Sequence, residues 1–162
     1  MPAIRPDQPL APSVLDRLID DDPATEVEAT RNRTQLLRDL KLSVRRDLED
    51  LLNTRRRNLV LPAGLAEIGT SLLAYGVPDF SGAGPATAKD RDAFCREVEA
   101  IIRAHEPRLL RVAVELAAAP EQADRSLRFR IDALLRADPA PEPVAFDTAL
   151  EAATNQFAVS GG

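Results

Sequence analysis

The clearest pattern along the chain is a stripe of apolar side chains between about Thr30 and Arg57. Leucine and valine recur there at steps of one, three or four residues, at Leu37, Leu40, Val44, Leu48, Leu51 and Leu52. This spacing places them on one face of a helix, with the charged residues on its other faces. The segment therefore predicts a long amphipathic helix, and the cationic run Arg55, Arg56 and Arg57 suits the negative end of its dipole.

Shorter apolar repeats predict three further helices. Ser13 followed by Asp16 is a capping-box pattern, and Thr87 followed by Asp90 is a second N-terminal cap. Gly76 is placed to close a helix in a left-handed conformation. The apolar positions of these three helices are Leu15, Leu18 and Ile19, then Leu65, Ile68 and Leu72, and then Phe94, Val98, Ile101 and Ile102.

After the sequence HEPR the hydrophobic period changes to two. Apolar residues alternate with charged or small ones in two runs, Leu110, Val112, Val114, Leu116 and Leu127, Phe129, Ile131, Ala133. Alternation of this kind is typical of strands with one buried and one wetted face. The two runs therefore predict an antiparallel pair of strands.

The C-terminal tail continues the alternation at Val144, Phe146, Thr148 and Leu150. Phe157 and Val159 would return as a last strand after a turn at Thr154 and Asn155, although the Ala-rich middle of the tail also tolerates helix. We interpret the tail as strands. The predicted fold class is α+β, with N-terminal helices packed on a C-terminal antiparallel β-sheet.

Composition and charge narrow the possible functions. Residues 1–12 are Pro-rich and are predicted to be a mobile arm, and residues 13–162 a single domain. The formal charge of -5 disfavours binding to nucleic acid. Cys95 and His105, the lone cysteine and histidine, cannot form a disulfide or the usual zinc sets. The sequence shows no signal peptide and no apolar segment of membrane-spanning length, so we expect a cytoplasmic protein that does not insert into a membrane.

The candidate chemistry lies at Glu106, Pro107 and Arg108. Proline disfavours helix in the residue before it, so a helix should end near His105 and Glu106 should be extended. In an extended segment side chains repeat every two residues, which puts Glu106 and Arg108 on one side. We expect this pair to be ionised and to face outward.

Three interpretations of this pair remain open. It is a solvated ion pair at a turn, a partner-binding element, or the site of a glycosidase with Glu106 as the acid. The glycosidase needs a second carboxylate, for which Asp79 is a candidate, and a proton donor with a raised pKa, which a neighbouring Arg108 opposes. His105 is interpreted as a partner of the helix dipole in the last turn of its helix, in preference to a catalytic residue. Cys95 is interpreted as a buried thiol, in preference to a nucleophile.

Several phrases in register resemble one family. They are PSVLDRLIDDDP, LKLSVRRDLEDLLNTRR, SLLAYGVPDFSG, HEPRLLRVAVEL, LRFRIDALL and VAFDTALEAATNQFAVSG, which run from about residue 13 to residue 160. Together they resemble the TssE family of small baseplate components of bacterial type VI secretion systems, related to the lysozyme-like wedge protein of contractile phage tails. The Pro-rich arm lies outside the resemblance.

The resemblance implies a cytoplasmic structural subunit that is not an enzyme and needs no cofactor. It implies the wedge proteins TssF, TssG and TssK and the sheath proteins TssB and TssC as partners, with Glu106, Pro107 and Arg108 used in assembly. Replacing Arg108 by alanine is then expected to weaken assembly and leave the monomer folded. The alternatives are a peptidoglycan hydrolase that uses Glu106 and a soluble regulatory binder.

Overall fold

The computed structural model describes residues 10, 13–19, 32–57, 64, 67–68, 71–78, 87–117, 127–151, 154 and 156–162. Its helices are α1 (Val14–Leu18), α2 (Arg33–Asn53), a short 3-10 helix (Leu72–Ala74) and α3 (Ala88–His105). Its strands are β1 (Leu109–Leu116), β2 (Leu127–Leu135), β3 (Glu142–Glu151) and β4 (Gln156–Gly161). Apart from Leu10, the predicted arm at 1–12 lies outside the described residues.

The helices begin at polar caps. Ser13 with Asp16 and Thr87 with Asp90 form the capping boxes of α1 and α3, which confirms both predicted starts. The long helix α2 begins at Arg33, where Asn32 forms a third capping box with Gln35. Asparagine is as good a cap as serine, so the pattern N-x-x-Q could have been found in the sequence.

The predicted end of α2 is wrong. The helix ends at Asn53, and Arg55 starts an extended segment that forms a parallel bridge with Val77. The three arginines therefore lie beyond the helix end, and the last turn of α2 contains no basic residue. Gly76 allows this close approach: its φ is +99°, and a Cβ there would lie 2.3 Å from the carbonyl oxygen of Thr54.

The predicted helix around Leu65, Ile68 and Leu72 is corrected in part. Leu65 lies outside the described residues. The described residues here form 3-10 helix, at Glu67 and Ile68 and again at Leu72–Ala74, in place of an α-helix. Leu72 is 89 % exposed, so it does not contribute to the core. The left-handed Gly76 follows this turn as expected.

The four strands form one antiparallel sheet in the order β1-β2-β3-β4. Each strand pairs with the next one along the chain, so the sheet is an antiparallel meander. Both predicted runs and the strand interpretation of the tail are confirmed. Phe157 and Val159 face the core from β4, as expected from the alternation.

One register position in β1 was predicted wrongly. Leu109 is buried, whereas Leu110 is 42 % exposed. The pairing with β2 shifts between Leu109 and Arg111, so an irregularity interrupts the alternation at its first step. A shift of one residue exchanges the two faces of a strand, which is why simple alternation picked the wrong leucine.

The core lies between the helices and one face of the sheet, which confirms the α+β fold. Helix α3 packs against β1, and α2 packs against β4. The buried side chains of the helices are Val44, Leu48, Leu51, Leu52, Phe94, Val98, Ile101 and Ile102. Phe129 of β2 packs edge-on against Phe94 and Phe157, at ring-centre distances of 5.5 and 5.7 Å.

Candidate functional site

The chain turns sharply between α3 and β1, at Glu106, Pro107 and Arg108, which we call the joint. Helix α3 ends at His105, and the N–H of Glu106 still donates to the carbonyl oxygen of Ile102 at 2.8 Å. Glu106 itself is non-helical, with φ -118° and ψ 81°. This is the geometry that the following proline imposes, so the predicted end of the helix is confirmed.

Glu106 and Arg108 lie side by side, as expected, but they face inward. Glu106 is 4 % exposed. Its Oε1 accepts hydrogen bonds from the main-chain N–H of Arg108 at 3.1 Å and from Nε of Arg108 at 2.7 Å, and its Oε2 forms an ion pair with Nη2. The expectation of an outward-facing, solvated pair is therefore wrong: the pair is bidentate and its carboxylate is buried.

Arg108 also binds two side chains of α2. Its Nη1 donates to Oγ of Ser43 at 2.9 Å, and its Nη2 forms an ion pair with Asp47. Burial by itself would lower the pKa of Arg108, but the hydrogen bonds and charges of Glu106 and Asp47 raise it above its usual value. The guanidinium therefore stays charged and ties the joint to α2.

Asp16 extends these contacts to α1. Its Oδ2 accepts from the hydroxyl of Ser13 at 2.6 Å and from that of Ser43 at 2.7 Å, while Oδ1 pairs with Nη2 of Arg46 at 2.5 Å. Burial would raise the pKa of Asp16, but these bonds hold it far below its usual range. Ser43 bonds to both sides, so one network connects α1, α2 and the joint.

We call this set the joint network; its members are Asp16, Ser43, Arg46, Asp47, Glu106 and Arg108. The sequence singled out Asp16 only as part of the cap of α1, and it did not single out Ser43, Arg46 or Asp47. Ser43 in the middle of α2 was the available signal, because serine is unfavourable inside a helix unless its hydroxyl has a partner. Asp47 lies four residues later, on the same side of the helix.

A cavity of about 290 Å³ opens beside the joint. It is lined by Ser13, Asp47, Leu51, Tyr75, His105, Glu106, Pro107 and Arg108. The rings of Tyr75 and His105 meet edge-on at 5.2 Å. Burial, together with the charges of nearby acids, raises the pKa of Tyr75, so its hydroxyl stays protonated at neutral pH.

A glycosidase needs two carboxylates beside its cavity, and the structure offers a different second one from the sequence. Asp79, the second carboxylate considered from the sequence, lies outside the described residues. The structure brings Asp47 to the cavity instead, but Asp47 and Glu106 share the guanidinium of Arg108. The two carboxylates are therefore held together by one cation, as members of an ion-pair network.

Two other residues singled out in the sequence, Cys95 and Arg56 of the arginine run that follows α2, make contacts within the fold. Cys95 is partly buried, and burial raises the pKa of its thiol although a main-chain bond from Leu116 acts in the opposite direction. Arg56 pairs with Glu97 of α3 at 3.2 Å. Among the described residues, no group of three His, Cys, Asp or Glu side chains is arranged to hold a metal ion. None of the described helices is both long and apolar enough to cross a membrane.

Comparison with known proteins identifies the family. The model of the family described as baseplate wedge protein gp25 matches residues 38–140. This match covers more than half of the chain and includes α3, the joint, β1, β2 and most of α2. A search of curated proteins found no match. The predicted resemblance to TssE and the phage baseplate wedge proteins is thereby confirmed, and the chain belongs to the gp25 family of baseplate wedge proteins.

Proposed function

We propose that this protein is a cytoplasmic structural baseplate subunit of a type VI secretion system, linking wedge components to the first ring of the contractile sheath. The observation that carries the proposal is the match to a baseplate wedge family over residues 38–140. The TssE-like phrases of the sequence support the secretion-system branch of that family. The partners we propose are TssF, TssG and TssK in the wedge and TssB and TssC in the sheath.

We further propose that the joint contributes to partner binding through its shape. Glu106 and Arg108 are tied to each other and to α2, so they fix the angle between α3 and β1. Pro107 is exposed between them, at the rim of the cavity. A partner would therefore contact Pro107 and the cavity rim, while the two charged residues hold this surface in place.

The sheath contact is proposed to involve an edge of the sheet. The edge strands are β1 and β4, and an extended segment of another chain can add to such an edge through main-chain hydrogen bonds. On β1, the main-chain N–H and C=O of Val114 point in the direction that such pairing requires. The N–H of Ala117 donates to the carbonyl oxygen of Arg128, which places the main-chain groups of every second residue, Val114 included, away from β2.

The half-buried position of Arg108 beside the buried Glu106 changes the assembly test. Removing its guanidinium would leave Glu106 buried without its partner, so an alanine variant is expected to lose stability as well as assembly. The variant Pro107→Glu instead adds bulk and charge at the exposed part of the joint. The matched control is Ala117→Glu, which adds the same carboxylate at an exposed position beyond the other end of β1.

The test is affinity capture from a lysate that contains the whole secretion system, followed by mass spectrometry. We expect the unaltered protein and Ala117→Glu to capture wedge proteins, and Pro107→Glu to capture several-fold less while its melting temperature is unchanged. Capture of no wedge or sheath protein by the unaltered chain would refute the proposed function. Equal capture by Pro107→Glu would refute the role of the joint alone.

Non-enzymatic function is part of the same proposal. A zymogram on peptidoglycan tests it, because a hydrolase would clear the substrate and Glu106→Gln would abolish the clearing. We expect no clearing by either protein. Clearing by the unaltered chain that Glu106→Gln removes would establish the hydrolase instead.

A further inference from the structure

One edge of the sheet is bonded by a helix side chain. Asn53 is the last residue of α2, and its amide makes two hydrogen bonds to the main chain of Phe157 in β4. The N–H of Phe157 donates to Oδ1 at 2.7 Å, and Nδ2 donates to the carbonyl oxygen of Phe157 at 2.9 Å. An amide side chain carries both donors and an acceptor, so it satisfies both main-chain groups of one residue.

The N–H and C=O of Phe157 point away from β3, outward at the edge of the sheet. Gly162 donates its N–H to the carbonyl oxygen of Ala145 at 3.0 Å, next to the last β3–β4 pair. Hydrogen-bonded and non-bonded pairs alternate in an antiparallel ladder, so Phe157 occupies a position whose main chain faces outward. Asn53 therefore takes the place that one residue of a fifth strand would occupy.

Strand β4, which Asn53 binds, packs into the core and contains no charged residue. The ring of Phe157 is buried and packs against Phe129 at 5.7 Å, and β4 also packs against α2. The sequence of β4, QFAVSG, contains no charged residue and no proline. Edge strands are commonly protected from pairing with other chains by charge, by proline or by a covering helix. Because β4 has no charge and no proline, its protection comes from α2, which packs against it and places Asn53 on its main chain.

We propose that Asn53 is an edge guard: its two hydrogen bonds to Phe157 prevent β4 from pairing with the β4 strand of a second copy of this chain. Two copies of one edge strand can pair antiparallel about a twofold axis, so an uncharged edge is complementary to itself. The guard satisfies the outward N–H and C=O of Phe157 within the chain, and pairing would have to break both bonds. This role is independent of the proposed secretion function.

The test compares Asn53→Ala with the unaltered chain. We expect the amide hydrogen of Phe157 to exchange about tenfold faster in a dilute sample of the variant, measured residue by residue by NMR. At rising concentration we expect the variant to sediment as a larger species and the exchange at Phe157 to slow again, because a second copy then covers the edge.

Two further variants separate edge pairing from general instability. Gln156→Ala removes an exposed amide from the same strand and should leave sedimentation and exchange unchanged. Adding Ala158→Lys to Asn53→Ala places a charge on the exposed face of the edge strand and should restore the smaller species, which aggregation through unfolding would not do.

The proposal is overturned if Asn53→Ala is folded and sediments like the unaltered chain over the whole concentration range. It is also overturned if the larger species persists in the double variant. Should Asn53→Ala unfold, Asn53→Asp is measured in the same way, since an aspartate still accepts from the N–H of Phe157 but cannot donate to its carbonyl oxygen. We then expect a smaller shift in sedimentation, and its absence also overturns the proposal.

Discussion

The apolar core and the joint network connect α2 to the rest of the chain by different means. The core does so with side chains such as Leu48 and Phe129, which are almost completely buried and have no polar group to satisfy. The joint network does so with three acids, two arginines and one serine, in which Arg108 alone binds three partners.

This difference determines how each region responds to substitution. In a core, the cost of a substitution grows with the volume removed, because each side chain contributes its own contacts. In a partly buried charged network, removing one member leaves its partners unpaired, and the cost is greatest for the buried Glu106. We therefore expect the cost of a core substitution to follow the volume it removes, and substitutions in the joint network to be coupled to one another.

The largest effect is expected in the core. Phe129→Ala removes the ring that packs between Phe94 and Phe157, and it should lower the free energy of unfolding by about 3–5 kcal/mol. Urea denaturation followed by far-UV circular dichroism measures this, since the chain contains no tryptophan. A loss below about 1 kcal/mol would show that the core is not centred on this ring.

Arg108→Met should lower the free energy of unfolding by about 3 kcal/mol, because it leaves the buried carboxylate of Glu106 without its partner. The double variant Glu106→Leu with Arg108→Met should be more stable than Arg108→Met alone, since it removes the unpaired charge. Denaturation of both single variants and of the double variant gives the coupling between the two sites. Additive costs would contradict the expected coupling within the joint network.

A matched pair of leucines tests the irregularity at the start of β1. Leu109→Ala should cost about 2–4 kcal/mol because Leu109 is buried, and Leu110→Ala should stay within about 0.5 kcal/mol because Leu110 is exposed. The two variants differ by one position and remove the same atoms. If their melting temperatures fell equally, the register seen at this end of the sheet would be incorrect.

The smallest effect is expected at Asp16. Asp16→Asn should cost about 1 kcal/mol at pH 7, because it weakens the cap of α1 and the bond to Arg46. The lowered pKa means that the charge of Asp16 stabilises the fold above the ordinary aspartate pKa of about 3.9, and that this contribution is lost as the pH falls below it. Denaturation curves of the two proteins should therefore converge at low pH, and a gap that stays constant would contradict this origin.

Elements with a regular period were predictable from the sequence. The stripe of α2, the inner face of α3 and the alternation in β2 and β3 reflect local geometry, in which each residue's neighbours are set by the helical or extended repeat. Pro107 likewise marked the end of α3, because its effect on Glu106 acts between adjacent residues. The sequence thus determined the fold class and the position of the joint.

Contacts between distant residues were decided only by the tertiary structure. Arg108 reaches Asp47 across 61 positions, and Asn53 reaches Phe157 across 104. No periodicity links such pairs, since their approach depends on how α2 packs against the sheet. The same packing turned Glu106 inward and placed Leu109, rather than Leu110, in the core. Local repeats determine which elements form, and burial in the assembled layers determines which way their charged side chains point.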